Sequence, residues 1–160
     1  MSPKSSYYFE DLPLDALKYK VLFIDIDGTL THDSSSHVSK VIIDKINELK
    51  KYNQIFLCTN SRNLARNNEL VKQFKLKIAN FKYKKPSRKI LKEIHIDTDR
   101  SLVVIGDKFL IDGLFAKNIG AEFIMTKRYL SGKEFLKIKL FNFVDDMVCY
   151  LLRFLHLAGL

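Results

Sequence analysis

Cysteine, proline, glycine and tryptophan are all scarce in this chain of 160 residues, which holds two Cys, three Pro, six Gly and no Trp. Two cysteines, Cys58 and Cys149, are too few for a disulfide framework and lack the spacing of metal ligands, so both are expected as free thiols in a reducing compartment. So little glycine and proline excludes collagen-like and low-complexity chains, and apolar positions that change period along the chain exclude a coiled coil. Acids are in the minority: 18 Asp and Glu against 27 Lys and Arg leave a net charge of +9. That balance draws anions such as phosphate esters, acidic membrane or nucleic acid without choosing among them. No long uncharged apolar run is present either. The best candidate, residues 140–157, carries Asp145, Asp146 and Arg153, each costing about 2.5–3.5 kcal/mol at the centre of a membrane span. Residues 1–10, MSPKSSYYFE, have no apolar core of the kind a signal peptide needs. A cytoplasmic protein is expected, free to touch a membrane surface from outside.

What remains is enough for one domain, since a chain of this length buries roughly two-thirds of its unfolded surface without staples. VLFIDI (21–26), QIFLC (54–58) and SLVVIG (101–106) are short apolar runs rich in β-formers, and each stops at a polar turn. A weaker strand is expected near Ile78–Phe81 and a last one at AEFIM (121–125). Between them, Ser39 caps a helix with Ile42, Ile46 and Leu49 on one face. Leu64–Phe74 forms another, with Leu64, Val71 and Phe74 inward, and Ser87 caps a third carrying Ile90, Leu91 and Ile94. Leu110–Ile119 is a fourth, stopped by Gly120. Strands alternating with helices predict a three-layer α/β fold, a central parallel sheet with helices on both faces. The single domain spans 1–160, with a core over about 15–130 and a C-terminal amphipathic helix over about 134–157.

The strand ends carry the chemistry. In open α/β sheets, ligands bind at the carboxyl ends of the strands. Those ends hold Asp25 and Asp27, then Thr59 and Asn60, then Lys85, then Asp107. Three carboxylates brought to one rim repel one another unless a hard divalent cation lies between them, and oxygen-only ligation suits Mg²⁺. A hydroxyl, loop amides and a lysine beside that cation make a phosphate site. A lone Asp after a strand is usually a turn residue; D-x-D-G-T followed by three further strand-end matches in order is far more specific. The pattern reads as a Mg²⁺-dependent phosphoryl-transfer enzyme.

DIDGTLT (25–31) resembles the first motif of the haloacid dehalogenase superfamily of phosphatases. Thr59 in LCTNS resembles its second motif, Lys85 in KKP its third, and GDKFLID (106–112) its fourth. Within the superfamily, the TNS triplet, the Lys-Pro pair, the GDxxxxD form and the phrase Asn118-Ile119-Gly120-Ala121 through Ile124 are most similar to the small capless phosphatidylglycerophosphate phosphatases. The resemblance implies a Rossmannoid fold, an Asp25 nucleophile that becomes an aspartyl-phosphate, and an Asp27 acid–base that protonates the leaving oxygen and then deprotonates water. It also implies that Thr59 and Asn60 bind phosphoryl oxygens with Lys85, and that Asp107 completes a Mg²⁺ site with the Asp25 carboxylate and the Asp27 backbone carbonyl. Asp112 would orient Lys85 or a metal-bound water.

Two departures stand out. Lys108 and Ile111 replace the Gln and Thr common in those lipid-phosphate phosphatases, and both positions are expected to lie away from the phosphate and the cation. Thr31 is similar to the capless sugar-acid phosphatases, which usually carry a second acid where this chain has Lys108. The segments from Thr31 to QIFLC and from Cys58 to Lys85 are too short to house a cap domain, so an open site is expected.

Residues 72–92 contain nine Lys or Arg and no acid before Glu93. They form either a solvated face or an anion-collecting rim around Lys85, where each exposed basic residue is worth about 1 kcal/mol beside an acidic bilayer. Tyr83 and Phe81 alone make no base-stacking platform, so nucleic acid is not an expected partner. In the tail, Lys139, Asn142, Asp146, Arg153 and His156 form a narrow polar stripe on an otherwise apolar helix. Such a helix is expected to pack its apolar face on the sheet, with a seam in a homo-oligomer or a membrane contact as alternatives. His32 and His37 read as surface residues, and Cys58 as a buried thiol. The expected activity is a Mg²⁺-dependent phosphomonoesterase acting on a lipid phosphate such as phosphatidylglycerophosphate. The alternatives are a soluble sugar or sugar-acid phosphate as substrate, or a non-catalytic module that binds acidic membrane or nucleic acid.

Overall fold

The apolar run Val21–Asp25 becomes β1, and all five of its residues are buried. In the computed structural model, which describes residues 7–79, 82–132 and 134–157 and not the side chains of 153 and 155–157, β1 is the middle of a five-stranded sheet. Its companions are β2 (Gln54–Cys58), β3 (Lys77–Ile78), β4 (Leu102–Gly106) and β5 (Glu122–Met125). The order is β3-β2-β1-β4-β5, and every pairing is parallel. Phe81, at the end of the expected weak strand, lies outside the described residues.

Side chains alternate between the two faces of a strand, and here each face has its own core. Leu22 and Ile24 pack with Ile42, Ile46 and Leu49 of α1 (Lys40–Lys50) and with Leu70 and Phe74 of α2 (Leu64–Phe74). Val21 and Phe23 turn the other way and pack with Phe56, Ile90, Val104 and Phe115. Phe115 comes from α3 (Leu114–Ile119), and Ile90 from a 3₁₀ segment, Arg88–Glu93. Helices therefore cover both faces of the sheet, the three-layer α/β arrangement of a Rossmannoid fold. Phe9, Leu12 and Leu17, from two 3₁₀ turns that precede β1, complete the first core.

Local chemistry sets the helix ends. The Ser39 hydroxyl accepts from the Ile42 amide at 3.4 Å, and the Asn63 side chain accepts from the Arg66 amide at 3.1 Å. Gly120 closes α3 at φ 70°, a conformation that costs a residue with a side chain about 1–2 kcal/mol.

Three expectations need correction. In α2, Leu64 is 63% exposed, and Arg66 and Asn67 take the inward places beside Leu70 and Phe74. After Ser87 the chain makes a 3₁₀ segment rather than an α-helix. The segment that follows β4 opens with a wide π-helical turn, Phe109–Gly113, before α3. That turn forms because the amides of Asp112 and Gly113 both reach back to the Lys108 carbonyl, at 2.7 and 3.4 Å. Such turns recur at functional sites.

The largest correction concerns α4 (Leu136–Leu157). Its buried side is polar, with Asn142 and Asp145 beside Cys149, and its apolar side faces outward. The helix is not packed on the sheet by its apolar face. Among the described residues, no helix is long and apolar enough to cross a membrane.

Candidate active site

Connections from β1 and β4 leave the sheet toward opposite edges, so a crevice opens at their carboxyl ends. Asp25 ends β1, and Asp107 follows β4 directly. The chain after Asp25 turns back so that Asp27 bridges to Thr31. Gly28 makes that turn possible: its φ is +88°, and a Cβ there would stand 2.5 Å from the Asp107 carboxylate. At Gly106 a Cβ would meet Asp112 at 2.4 Å. Both glycines are therefore demanded by the close approach of the acids.

Asp25, Asp107 and Asp112 are buried, and each offers a carboxylate oxygen within 4.8 Å of the other two. Lys85, 4% exposed, reaches in from the segment after β3, its Nζ 2.5 Å from an oxygen of Asp25 and 2.5 Å from one of Asp112. Burial, with the charges of Asp112 and Asp107 beside it, pushes the Asp25 carboxyl well above its ordinary range against the pull of Lys85. Burial works against the Lys85 ammonium, but the Asp112 and Asp25 carboxylates win and hold it above its ordinary value. The Thr29 hydroxyl donates to the second oxygen of Asp25 at 3.2 Å.

The Asp27 carboxylate faces elsewhere. It accepts from the Thr59 hydroxyl at 2.8 Å and from the Ser34 amide at 3.1 Å, and it pairs with the Arg66 guanidinium at 2.8 Å. Burial would raise its pKa, yet the Arg66 charge and these hydrogen bonds together hold it below the ordinary carboxylate range. Asn60 uses both ends of its side chain on Lys85: its Nδ2 donates to the Lys85 carbonyl and its Oδ1 accepts from the Lys85 amide, each at 2.9 Å. Asn60 thus fixes the backbone from which the Lys85 ammonium projects.

Lys108 does not lie away from the acids, as expected of a residue outside the site. Its Nζ donates to Asp107 at 2.9 Å and to the Asp27 backbone carbonyl at 3.2 Å. Arg128 holds Asp107 from another side, with Nε 2.7 Å from Oδ2 and a second nitrogen 3.1 Å from the carbonyl. The acids are thus offset by four cations of the chain itself: Arg66, Lys85, Lys108 and Arg128. The expectation that only a divalent cation could hold them together is corrected to that extent.

Sequence reasoning missed Arg66, Lys108, Arg128 and Thr29. Three of them left a signal, and Thr29 is the threonine of the D-x-D-G-T motif itself. Arg66 lies four and eight residues before Leu70 and Phe74, the helical spacing of the inward face. Arg128 follows the carboxyl end of β5, the same rim that supplied the other residues. Lys108 left none, because one residue past a strand end a long side chain can turn either way.

The donor set fits a hard divalent cation: three buried carboxylates and a backbone carbonyl offer only oxygens. Cys58, though adjacent, offers no thiolate, since burial pushes its pKa up to about 12. His32 and His37 are exposed. The segments Asp27–Ser39 and Thr59–Lys85 hold only loops, α2 and the two residues of β3, with no cap domain among the described residues.

The family model described as mitochondrial PGP phosphatase matches residues 6–131, a span that takes in β1 through β5 and every acid of the cluster. Comparison with curated proteins and with solved structures gives no match. With that match over most of its length, the chain belongs to the mitochondrial PGP phosphatase family, a family of phosphatases.

Proposed function

We propose that this protein is a Mg²⁺-dependent phosphomonoester hydrolase of the haloacid dehalogenase type, acting on a lipid phosphate, phosphatidylglycerophosphate in the first instance. The observation that carries the reading is the buried meeting of Asp25, Asp107, Asp112 and Lys85 at the carboxyl rim of a parallel sheet in a phosphatase family. In this reading an Asp25 oxygen attacks phosphorus, the P–O bond to the alcohol breaks, and an aspartyl-phosphate forms. Asp27, ionised in the resting site, would first take up a proton from solvent as the dianionic phosphate binds beside it. It would give that proton to the leaving oxygen, then take one from the water that attacks the phosphoryl group, and inorganic phosphate leaves with Asp25 restored. Lys85 stands against the transferring phosphoryl group, while Asn60 holds its backbone and Asp112 its ammonium. Thr59 gives its hydroxyl to Asp27 in the resting site and would turn it to a phosphoryl oxygen. The cation, held by Asp25, Asp107 and the Asp27 carbonyl, would supply positive charge against the negative charge of the phosphate.

The open rim suits a headgroup presented by a membrane surface, so contact with acidic membrane belongs to this reading. The cytoplasmic expectation and the family's mitochondrial name differ on the compartment. The chemistry asks only for access to a lipid surface.

Hydrolysis of an aryl phosphate with Mg²⁺ and with excess EDTA tests the activity, and phosphatidylglycerophosphate in micelles against soluble sugar phosphates tests the substrate. Turnover that needs the metal and favours the lipid is expected. Folded protein without Mg²⁺-dependent turnover on any phosphomonoester would return the chain to the class of binding modules, and a preference for sugar phosphates would move the substrate to the soluble alternative.

Two variants divide the roles. Asp27→Asn should slow turnover by about 10²–10⁴-fold while phosphate and metal binding change little, measured by stopped-flow kinetics beside calorimetric titration. Lys108 occupies the place where the cation would meet Asp107 and the Asp27 carbonyl, so metal entry must displace its ammonium. Lys108→Gln should therefore bind Mn²⁺, used as a probe, about tenfold more tightly or better, since a charge-assisted hydrogen bond no longer competes. Unchanged or weaker Mn²⁺ affinity in calorimetry would contradict that competition.

A further inference from the structure

Helix α4 is built inside out for a core helix. Asn142, Asp145 and Cys149 lie on its buried side, whereas Leu136, Leu140, Phe143, Met147, Leu151 and Phe154 are between 46% and 81% exposed. At about 100° per residue, these positions and their exposed neighbours Phe141, Val144, Tyr150 and Leu152 wrap roughly half the helix circumference. A continuous apolar surface of that kind marks an interaction site. The helix also lies beyond residues 6–131, the span matched by the phosphatase family, so the family domain does not account for it.

The helix is nevertheless tied to the catalytic rim. The Asp145 carboxylate accepts from the amides of Phe109 and Leu110 at 3.0 and 2.7 Å, in the turn just after Asp107 and Lys108. Arg128 lies 3.6 Å from Asp145 and 3.4 Å from Asp146 while it holds Asp107 at 2.7 Å. Asp145 docks the helix to the site, and that docking is what turns the apolar face outward; of the expected polar stripe Asn142 is buried, while Lys139 and Asp146 stay exposed.

We propose that the outer face of α4 is the surface on which the protein lies against an anionic lipid bilayer, with the helix axis in the membrane plane. This rests on the reading of the substrate as a lipid phosphate. The helix is not apolar enough to cross, so its contact is in-plane. Lys137 and Lys139 on the helix are exposed beside the apolar face, on a chain of net charge +9. That is the combination of apolar area and positive charge that an acidic surface binds. A second copy of the chain is the rival occupant, but a two-helix seam needs only about two residues in seven. Lys137, Lys139 and Asp146 would flank such a seam, but Phe141, Val144, Leu151 and Leu152 continue the exposed apolar face beyond it. The width of the face favours a bilayer.

Co-sedimentation tests this with vesicles of phosphatidylcholine alone and of phosphatidylcholine mixed with phosphatidylglycerol. Wild-type protein should sediment with the mixed vesicles, more weakly at high salt. The exposed-face variant Phe143→Ser/Met147→Ser/Phe154→Ser should lose at least about tenfold in vesicle affinity. It should keep its hydrolysis of a soluble aryl phosphate, which shows that the site is intact. Helix-dependent binding by a protein that hydrolyses no phosphomonoester would support the docking surface while the phosphatase reading fell. Wild type left in the supernatant at low salt, or a variant that binds as well as wild type, would overturn the proposal. A dimer in light scattering that the variant converts to monomer, with vesicle binding unaltered, would assign the face to a second copy instead.

Discussion

Replacing Asp25 by asparagine should abolish turnover, by about 10⁴-fold or more, while leaving a folded protein. The amide is nearly the same shape, so the 3.2 Å contact from Thr29 and the neighbourhood of Lys85 survive. It is a poor nucleophile, however, and it brings no charge to a cation. The metal-free variant should also be no less stable than wild type near neutral pH. The Asp25 carboxyl is raised by burial and by the acids beside it, so its ionised form costs folding free energy above the unfolded-state value of about 3.9. Asparagine removes that cost. Any advantage of the variant should shrink as pH falls, because the wild-type carboxyl then takes up a proton. Thermal melts of metal-free protein at several pH values, beside steady-state kinetics, check both parts. A variant with substantial residual turnover would remove Asp25 from the nucleophile's role.

Lys85→Met should be the most destabilising single change in the site. Met matches the lysine stem, but it strands two carboxylates that the ammonium now meets at 2.5 Å each, in a place where Lys85 is 4% exposed. Removing one partner of a buried ion pair costs about 3–5 kcal/mol, which for a domain of this size lowers Tm by roughly 10 °C. The cost should ease at low pH, as Asp25 and Asp112 protonate, and adding Asp112→Asn should recover part of it. Turnover should fall by about 10²–10³-fold beyond any loss of folded protein, since the phosphoryl group loses its fixed cation. A melt within a degree or two of wild type would mean that the acids are held apart by something other than this lysine.

Much of the fold, and the meeting of the motif residues, is legible in the sequence. Val21–Asp25, Gln54–Cys58 and Leu102–Gly106 are strands buried throughout but for the half-buried Gln54 and Leu102 at their starts, because each is a short apolar run bounded by polar turns, and runs of that kind fit a sheet covered on both faces. The motif residues converge because parallel strands deliver all their carboxyl ends to one rim. Periodicity was blind to direction, however. The tail's 3.6-residue pattern marks a polar stripe through Lys139, Asn142 and Asp146, but the amides of Phe109 and Leu110 and the Arg128 guanidinium turn inward Asp145, a residue beside that stripe, and leave Lys139 and Asp146 exposed. Position was equally blind to reach. Lys108 is adjacent to Asp107 in sequence, yet only the backbone path shows that its ammonium returns to the Asp27 carbonyl. The wide turn at Phe109–Gly113 escaped for a similar reason: its hydrogen bonds are set by Lys108 and Asp112, which are also site residues.

The most direct test of the central claim is to catch the phosphoryl group on the protein. Asp27→Asn should break the aspartyl-phosphate down slowly, so mixing it with substrate and Mg²⁺, quenching in acid and mapping peptides should find the label on Asp25. Reduction with borohydride should convert that one residue to homoserine. Hydrolysis by wild type with no acyl-phosphate at Asp25 under these conditions, or a label on any other residue, would contradict the account.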